Sequence, residues 1–589
     1  MPEGARTDAN RVMGCTAQVW VSAELGADGR VQFAADSDSE LTRGLAAVLV
    51  EGLSGLTPVE VLQVDPAVLG QLGLGAAVLT RSRANGFGNM LESMKRRSQA
   101  LVGDLPRFPS LLITAEGTSA QGAFAEAQNM FLQPDAAVVD ALVAQLQFKK
   151  VGVVAHFYMD PKVQGVLSSA AERWPHINIS DSLVMADGAV KMAEAGCTAI
   201  AVLGVDFMSE NVRAILDEAG HKDVKVYRMA AESIGCSLAE AAESPAYDTY
   251  LAEAGATPNS LHVVYINTSL KTKALAHHAV PTITCTSSNV VQTVLTAFAQ
   301  VPGCNVWYGP DTYMGRNLAQ LFTSLANMSD EEVRELHPQH TQASVRALLP
   351  RLRYFDQGTC IVHHLFGGEV CELVREGYRD AYLTAHFEVP GEMFSLAMDA
   401  RRQRGMGVVG STQNILDFIS AKLSEALQQP YPERLQFVLG TESGMITSIV
   451  RKVQGMLRTA NRSDVSVEVV FPVSVDAITT DQQVELPTGL SVVPGPAGGE
   501  GCSLEGGCAS CPYMKMNSLS ALMMVCERVG SPAGEALLEA FKPRPYTELV
   551  DGKTMAQAGC IPILHMRGFQ KGGKLPDALV EDIVSRHQQ

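Results

Sequence analysis

Two kinds of hydrophobic pattern divide the chain into an N-terminal part and a longer main part. Within residues 1–105, runs of β-forming residues predict two strands, at 17–22 and 31–35. Apolar positions at helical spacing predict three helices after them, at 39–53, 57–63 and 85–102. The N-terminal part is therefore expected to be a small α+β domain.

A segment rich in Pro, Gly, Ser and Ala follows, and residues 106–140 are predicted to be a partly helical linker. Beyond it, apolar strand patterns alternate with helical patterns, which is typical of parallel α/β structure. Residues 526–589 are expected to form a C-terminal extension.

One pattern occurs three times in the α/β part, which predicts three related units at 141–257, 258–375 and 376–525. In each copy a first strand ends in polar residues, a second precedes a hydroxyl cluster, and a third ends in glycine plus an acidic residue. The hydroxyl clusters lie at 180–182, 286–289 and 411–414, and the glycine motifs are GVDF, GPDT and GTES. Such features are individually common in α/β proteins. Their repeated order favours three domains around a pseudo-threefold axis, with the ligand-binding strand ends facing that axis.

Each copy then reaches a loop with cysteine, namely Cys236, Cys360, or the pair Cys508 and Cys511. Thiolates are soft ligands that suit iron–sulfur clusters or zinc. Three thiolates on a four-iron cluster would leave one iron open as a Lewis acid for a substrate oxygen. The Cys508–Cys511 spacing alone is a weak signal, since it also fits a zinc half-site or a redox pair.

Polar residues at the same strand ends and loops predict the remaining chemistry. The hydroxyl clusters can cap helices, and they can also bind carboxylate or phosphate beside the helix N-termini. Three of them in one cavity favour a small polyanionic substrate. Candidate proton donors and acceptors are His156, Tyr158, Tyr265, His363, His386 and Glu388.

Composition excludes several classes of function. The 589 residues include 46 basic and 63 acidic ones, and the net charge of −17 argues against a nucleic-acid partner. The sequence contains no apolar run long enough to span a bilayer, and its polar start predicts neither a secretory signal nor a visible targeting peptide. Twelve dispersed cysteines indicate a reducing compartment with metal or thiol chemistry.

From about residue 149 to 525 the chain resembles the quinolinate synthase family. The segments HFYMDP, GVDFMSE, YINTSLKTKA, TSSN, GPDTYMGRNLA, CIVHHLF, HFEVP and CPYMKMNSL occur in that family's order. The resemblance implies a three-domain enzyme of NAD biosynthesis that condenses iminoaspartate with dihydroxyacetone phosphate to quinolinate, releasing phosphate and water. It implies a [4Fe–4S] cluster with one open iron on three cysteines, matching Cys236, Cys360 and Cys511. L-aspartate oxidase is the implied supplier of iminoaspartate, and a homodimer is compatible with the family.

The family's active-site positions carry over residue by residue. Glu388 and the histidine–tyrosine set are implied to move protons, and the Ser, Thr and Asn groups to bind carboxylates and phosphate. The matching positions are His156, Tyr158, Ser182, Tyr265, Asn267, Ser287, His363, His386, Glu388, Ser411 and Thr412. Extra segments near 240–258, 325–350 and 455–505, and a tail after Lys542, depart from minimal family members.

The N-terminal part resembles the SufE family of sulfur acceptors through RVMGCTAQVW and TRSRANGFGNMLESMK. Cys15 stands at that family's persulfide position, where a thiol can take sulfur from a cysteine desulfurase. The helical region that normally precedes this cysteine is missing, so a shortened domain is expected. The fusion resembles the plant and algal enzyme, which works in plastids.

The residues leave two other interpretations of the function open. A diphthamide-synthesis-type enzyme also has three related α/β domains with one cysteine each, but the YINTS, TSSN and CPYMKMN segments favour quinolinate synthase. An iron–sulfur or sulfur carrier would need no substrate pocket, and the polar strand ends with His363, His386 and Glu388 count against it.

Overall fold

The computed structural model describes residues 1–587 except 2, 16, 66–79, 104, 106, 473–483, 486–490, 493–501, 504–506 and 509–510. None of the helices formed by the described residues is long and apolar enough to cross a bilayer.

The N-terminal unit is an antiparallel ribbon covered by helices, around a hydrophobic core of its own. Its helices start at side-chain caps, since Ser39 accepts the N–H of Thr42 and Thr57 forms a capping box with Glu60. These elements confirm the predicted α+β class. They are β1 Val19–Leu25, β2 Val31–Ser37, α1 Glu40–Leu53, α2 Pro58–Gln63 and α3 Arg81–Ala100.

The segment predicted to be a linker contains a β-hairpin as well as helices. Leu111 and Ile113 are fully buried in it, and the hairpin adds two strands to the sheet of the third unit. An apolar run of four residues is too short for periodicity to identify, which is why the sequence did not predict these strands. The elements are β3 Ser110–Ile113, β4 Thr118–Gln121, α4 Ala123–Met130 and α5 Ala136–Lys149.

The first unit is a four-stranded parallel sheet in the order β6-β5-β7-β8. Residues of β5 and β7 are buried throughout, as expected for strands covered on both faces. The elements are β5 Val151–His156, α6 Pro161–Ala171, β6 Ile177–Ser180, α7 Ser182–Glu194, β7 Ala199–Leu203, α8 Asp206–Glu218, β8 Lys225–Tyr227 and α9 Ser237–Ala241.

The second unit repeats this topology with the order β10-β9-β11-β12, again parallel. Helices fill the extra segments near 240–258 and 325–350. The elements are α10 Pro245–Ala256, β9 Ser260–Tyr265, α11 Leu270–Ala279, β10 Thr282–Cys285, α12 Val290–Gln300, β11 Asn305–Gly309, α13 Thr312–Leu325, α14 Asp330–Leu336, α15 Gln342–Leu348 and β12 Leu352–Tyr354.

The third unit has the same order once more, β14-β13-β15-β16, and β3 pairs antiparallel with β16 at its edge. Three identical strand orders agree with the repeat predicted from the sequence; the pseudo-threefold axis stays a prediction. The elements are α16 Gly368–Gly377, β13 Tyr382–His386, α17 Gly391–Arg404, β14 Gly407–Gly410, α18 Thr412–Leu427, β15 Glu433–Gly440, α19 Ile446–Ala460 and β16 Val465–Val470.

The C-terminal residues pack back onto the first two units. The helix α22 lies against α11 so closely that a Cβ at Gly559 would collide with the carbonyl oxygen of Leu270. After β16, the described residues form the short strands β17 Val484–Glu485, β18 Ser491–Val492, β19 Cys502–Ser503 and β20 Gly507–Cys508. The elements that follow are α20 Leu519–Arg528, α21 Pro532–Leu537, β21 Leu549–Val550, β22 Lys553–Thr554, α22 Met555–Gly572 and α23 Asp577–Ser585.

Candidate functional site

A cavity lies at the carboxyl ends of the strands of all three units and encloses about 790 Å³ of empty space, part of it open to solvent. Every site residue predicted from the sequence lines it except His363, which is buried behind Cys360, and Cys15, which belongs to the N-terminal unit. The predicted residues in the lining are His156, Tyr158, Ser182, Cys236, Tyr265, Asn267, Ser287, Cys360, His386, Glu388, Ser411, Thr412 and Cys511.

The N-terminal ends of α7 and α18 reach the cavity because short polar residues cap these helices where a strand has just ended. Asp181 accepts the N–H groups of Leu183 and Val184, and Ser411 accepts the N–H of Asn414. Ser182 and Thr412 are the first helical residues, and both line the cavity. Helix N-termini carry partial positive charge, so these ends favour anionic groups of a ligand.

Glu388 is the centre of a buried hydrogen-bonded cluster. Its Oε2 lies 3.1 Å from Nδ1 of His363, and the Tyr265 hydroxyl donates to its Oε1. Burial alone would raise the pKa of Glu388, but the charge and hydrogen bond of His363, together with His386 and Tyr265, hold the pKa below its usual value. Glu388 is therefore an ionised carboxylate in a buried polar cluster, where it can accept a proton from a ligand.

His156 and His386 occupy the same turn in the first and third units. In each, the backbone N–H two residues on donates to Nδ1, from Tyr158 at 3.2 Å and from Glu388 at 3.3 Å. Burial lowers the pKa of His156 to about 4 and that of His386 to about 3, so both rings are neutral at pH 7. With Nδ1 as acceptor, the proton resides on Nε2, and Nε2 of His386 donates to the Ser287 hydroxyl at 3.2 Å.

Thr441 belongs to this network, although the sequence analysis did not select it. Its hydroxyl lies 3.2 Å from the Tyr158 hydroxyl and 3.5 Å from Nε2 of His363. Tyr158 also contacts Thr412 at 3.2 Å, and burial, with Glu442 and Glu388 nearby, raises the pKa of Tyr158 well above its usual value. The signal was present, since Thr441 follows the glycine of the third repeat's GTES motif. Asp181, Thr286 and Gln413 also line the cavity and lie within the predicted hydroxyl clusters, and Glu442 lies within the GTES motif, although none of the four was predicted as an individual site residue.

The three predicted cluster cysteines share one local geometry. Each thiol accepts backbone N–H groups from residues two or three positions further along, where the chain turns into a short helix or 3₁₀ turn. The donors are Leu238 and Ala239 for Cys236, His363 for Cys360, and Tyr513 and Met514 for Cys511. Such N–H groups stabilise negative charge on sulfur, and the sequence pattern of single cysteines did not predict them.

Burial raises the pKa of all three thiols, that of Cys236 to about 12 and those of Cys360 and Cys511 well above the usual value. All three thiols line the same cavity. Buried thiolates need a cation to offset their desolvation. Three soft donors in one cavity wall, each with N–H support, therefore fit an iron–sulfur cluster.

A single-metal alternative exists in the same wall. Ligand atoms of Cys360, His363 and Glu388 all lie within 4.8 Å of one another. Glu388 already pairs with His363 and accepts a hydrogen bond from Tyr265, so a metal ion there would replace that network. The side chain of Cys508 falls outside the described residues, and its assignment as a non-ligand stays a prediction.

Cys15 lies far from this cavity, between the N-terminal unit and the third unit. Its Sγ is 3.6 Å from the carbonyl oxygen of Gly86, and a Cβ at Gly14 would lie 2.7 Å from Sδ of Met406. Burial and the charge of Glu433 raise the pKa of Cys15 to about 12, so it is a protonated thiol in this arrangement. Met406 and Glu433 stand at the amino ends of β14 and β15, opposite the cavity.

Charged contacts surround Cys15 at this junction. The guanidinium of Arg11 lies 4.3 Å from the ring centre of Tyr431 and 3.4 Å from Glu433. Arg96 pairs with Asp380 at 2.7 Å. These contacts hold the N-terminal unit with its predicted persulfide cysteine turned inward.

Comparison with known proteins finds two family matches. Residues 140–468 match the family model described as "Quinolinate synthetase A protein", and residues 1–98 match "Fe-S metabolism associated domain", the SufE model. The chain belongs to the quinolinate synthase family. Over 601 residues it is 56% identical to "Quinolinate synthase, chloroplastic" of Arabidopsis thaliana, covering 99% of this chain and 83% of that protein.

A second relative with the same name, from Oryza sativa subsp. japonica, is 57% identical over 606 residues, covering 99% of this chain and 85% of that protein. The N-terminal unit is 40% identical over 102 residues to "SufE-like protein 2, chloroplastic" of Arabidopsis thaliana, covering 17% of this chain and 40% of that protein. This chain is accordingly an enzyme of the quinolinate synthase family with a SufE-like N-terminal unit. The family model ends before Cys511, whereas the alignments with the plant relatives cover almost the whole chain.

Proposed function

We propose that this chain is a plastid quinolinate synthase of NAD biosynthesis, which condenses iminoaspartate with dihydroxyacetone phosphate and releases phosphate and water. The observation that carries the proposal is the single cavity in which three amide-supported thiols face the buried Glu388 network. The names of the plant relatives support both the reaction and the plastid location.

Cys236, Cys360 and Cys511 would hold a [4Fe–4S] cluster. When bound, the cluster supplies an iron without a protein ligand, which acts as a Lewis acid. The backbone N–H groups beside each thiol keep the sulfurs oriented toward the cavity.

The substrates carry two carboxylates and a phosphate, and neutral donors would bind them. The residues described in the cavity lining include neither lysine nor arginine. The cavity is lined instead by the hydroxyls of Ser182, Ser287, Ser411 and Thr412, the Asn267 amide, and His156 and His386, and two helix N-termini end there. Neutral donors release a charged product more readily than a salt bridge would, because no buried charge is left unpaired afterwards.

Proton movement is assigned to Glu388 and its partners. The ionised Glu388 accepts a proton at a carboxylate oxygen, while Tyr265 and His363 hold the carboxylate in place. The Thr441 hydroxyl connects His363 to the hydroxyl of Tyr158. These side chains are buried and have little contact with bulk water, which strengthens each electrostatic interaction among them.

We further propose that Cys15 accepts sulfur from a cysteine desulfurase for cluster assembly. We also propose that an L-aspartate oxidase supplies iminoaspartate and that the enzyme acts as a homodimer. The SufE-like match supports the sulfur-acceptor role. Cys15→Ser should leave the chemically reconstituted enzyme active and abolish any stimulation of desulfurase turnover, since a hydroxyl carries no persulfide. Equal stimulation by parent and variant would remove Cys15 from the proposal.

Anaerobic purification with iron and sulfide counts, followed by a quinolinate assay, tests the main proposal. About four irons and four sulfides per chain with quinolinate formation would support it. A bound cluster with no quinolinate formed from the two substrates would favour the diphthamide-type or carrier alternatives.

A further inference from the structure

The segment after α20 is bonded to the loop that ends at Cys236. We propose that residues 530–546 are a brace that fixes loop 228–235 and thereby positions Cys236 at the cavity. The inference rests on the proposed function, because Cys236 is treated there as a cluster ligand. Residues 530–546 lie beyond the match to the quinolinate synthase family model, which ends at residue 468.

Arg228 joins the start of the loop to the brace. It is only 8% exposed, and its backbone N–H donates to the carbonyl oxygen of Phe541 at 2.7 Å. Its guanidinium donates to the carbonyl oxygens of Ala540 at 3.0 Å and Lys542 at 3.2 Å, and pairs with Asp206 at 2.6 Å. One buried cation thus connects the brace, the loop and the first turn of α8.

Arg544 completes the contacts near the cysteine. Its guanidinium donates to the Ser233 hydroxyl at 2.8 Å and to Oδ2 of Asp206 at 3.4 Å. Asp206 also accepts the Ser233 hydroxyl at 2.7 Å and the backbone N–H of Ile234 at 3.2 Å. Ser233 stands three residues before Cys236, so these bonds set the path of the chain into the ligand position.

Tyr546 extends the brace toward the second unit. Its hydroxyl donates to Oε1 of Glu210 at 3.0 Å, while Oε2 accepts the N–H of Leu270 at 3.1 Å. Glu210 is 1% exposed, and Leu270 begins α11, three residues after the cavity residue Asn267. The same short segment therefore stabilises two neighbouring cavity loops.

The brace differs from the apolar packing of the C-terminal helices. Glu535 anchors it to β8 through Lys225 at 2.8 Å and the Tyr227 hydroxyl. The side chains of Arg544 and Tyr546 bond to Ser233, Asp206 and Glu210. The backbone carbonyl oxygen of Tyr546 accepts the N–H of Ala556 in α22, a bond that Tyr546→Phe leaves in place. The helix α22, in contrast, packs on α11. Substitutions in the brace can therefore remove the polar bonds and leave the packed helices unchanged.

The test uses the double variant Arg544→Ala, Tyr546→Phe in the full chain. The control is Lys542→Ala, whose ammonium pairs with Glu539 at 2.6 Å on the surface and whose carbonyl oxygen remains available to Arg228. In the apoprotein, backbone amides of 228–238 should exchange hydrogen about tenfold faster in the double variant, because hydrogen bonds to charged groups are lost. The control should exchange at the parent rate.

The reconstituted protein provides a second readout. A chelator should remove iron from the double variant about tenfold faster than from the parent or the control, since one ligand loop opens more often. Unchanged amide exchange together with unchanged iron release in the double variant would overturn the brace. If the parent chain itself took up no cluster, the proposed function would fail, while the amide exchange would still decide the role of the brace.

Discussion

At the scale of single residues, Glu388 carries the sharpest prediction. Glu388→Gln should keep the cluster, because it removes no thiol, and should lower quinolinate formation by about a hundredfold or more, because it removes the proton acceptor. Iron content and initial rate measure the two effects. Glu425→Gln, on the exposed end of α18, is the control and should behave like the parent. Turnover at the parent rate would show that Glu388 is not the acceptor.

Variants of Cys508 and Cys511 distinguish a cluster held by three cysteines from one held by four. Cys511→Ser should lose the cluster's visible absorbance and all activity, because the buried cavity thiol is removed. Cys508→Ser should retain about three to four irons per chain and most activity. If Cys508→Ser lost iron as completely as Cys511→Ser, Cys508 would be a fourth ligand and no iron would be open to substrate.

Residue types at strand ends were predictable, but their partners were not. His156, Glu388 and the three cysteines follow from repeat position and family resemblance. The contacts of the Thr441 hydroxyl and the N–H donors to sulfur depend on which atoms approach one another after folding. The sequence pattern does not predict those contacts.

At the scale of elements, the contact between α22 and α11 can be tested with a pair of helical glycines. Gly559→Ala should lower the free energy of unfolding by about 1–3 kcal/mol, because the new methyl group meets the Leu270 carbonyl and the helices must separate. Gly455→Ala, at an exposed position of α19 where a Cβ meets nothing within 4 Å, should be neutral or stabilising by up to about 1 kcal/mol. Denaturant unfolding measures both, and equal effects would contradict the close packing.

Element order was predictable because each unit repeats the same alternation of strands and helices. The β3–β4 hairpin was not, since its pairing with β16 joins residues more than 300 positions apart in the sequence. Local patterns give no information on such pairing, and a short polar-flanked run looks the same in a linker and at a sheet edge.

At the scale of the whole molecule, the docked N-terminal unit leaves Cys15 only partly exposed at its junction with the third unit. Charge reversal in Arg11→Glu, Arg96→Glu should break the pairs with Glu433 and Asp380 and loosen the junction. Alkylation of Cys15, followed by peptide mass spectrometry, should then be about tenfold faster. Arg173→Glu, at an exposed pair with Asp140 in the first unit, should leave the rate unchanged. Identical Cys15 reactivity in all three proteins would show that docking does not protect the thiol.

The position of Cys15 also determines how sulfur can reach the cavity. The five residues of β13 alone separate the two ends of the third sheet by about 17 Å, and the strand is buried along its length. If Cys15 carries the sulfur proposed above, a docked molecule has no direct path along this sheet from Cys15 to its own cluster cysteines. Delivery between two molecules avoids this obstacle, and cluster assembly should then speed up with protein concentration. In the presence of a cysteine desulfurase, cysteine, ferrous iron and a thiol reductant, mixing a chain that has Cys15 but lacks Cys511 with a Cys15→Ser chain should restore assembly in the second.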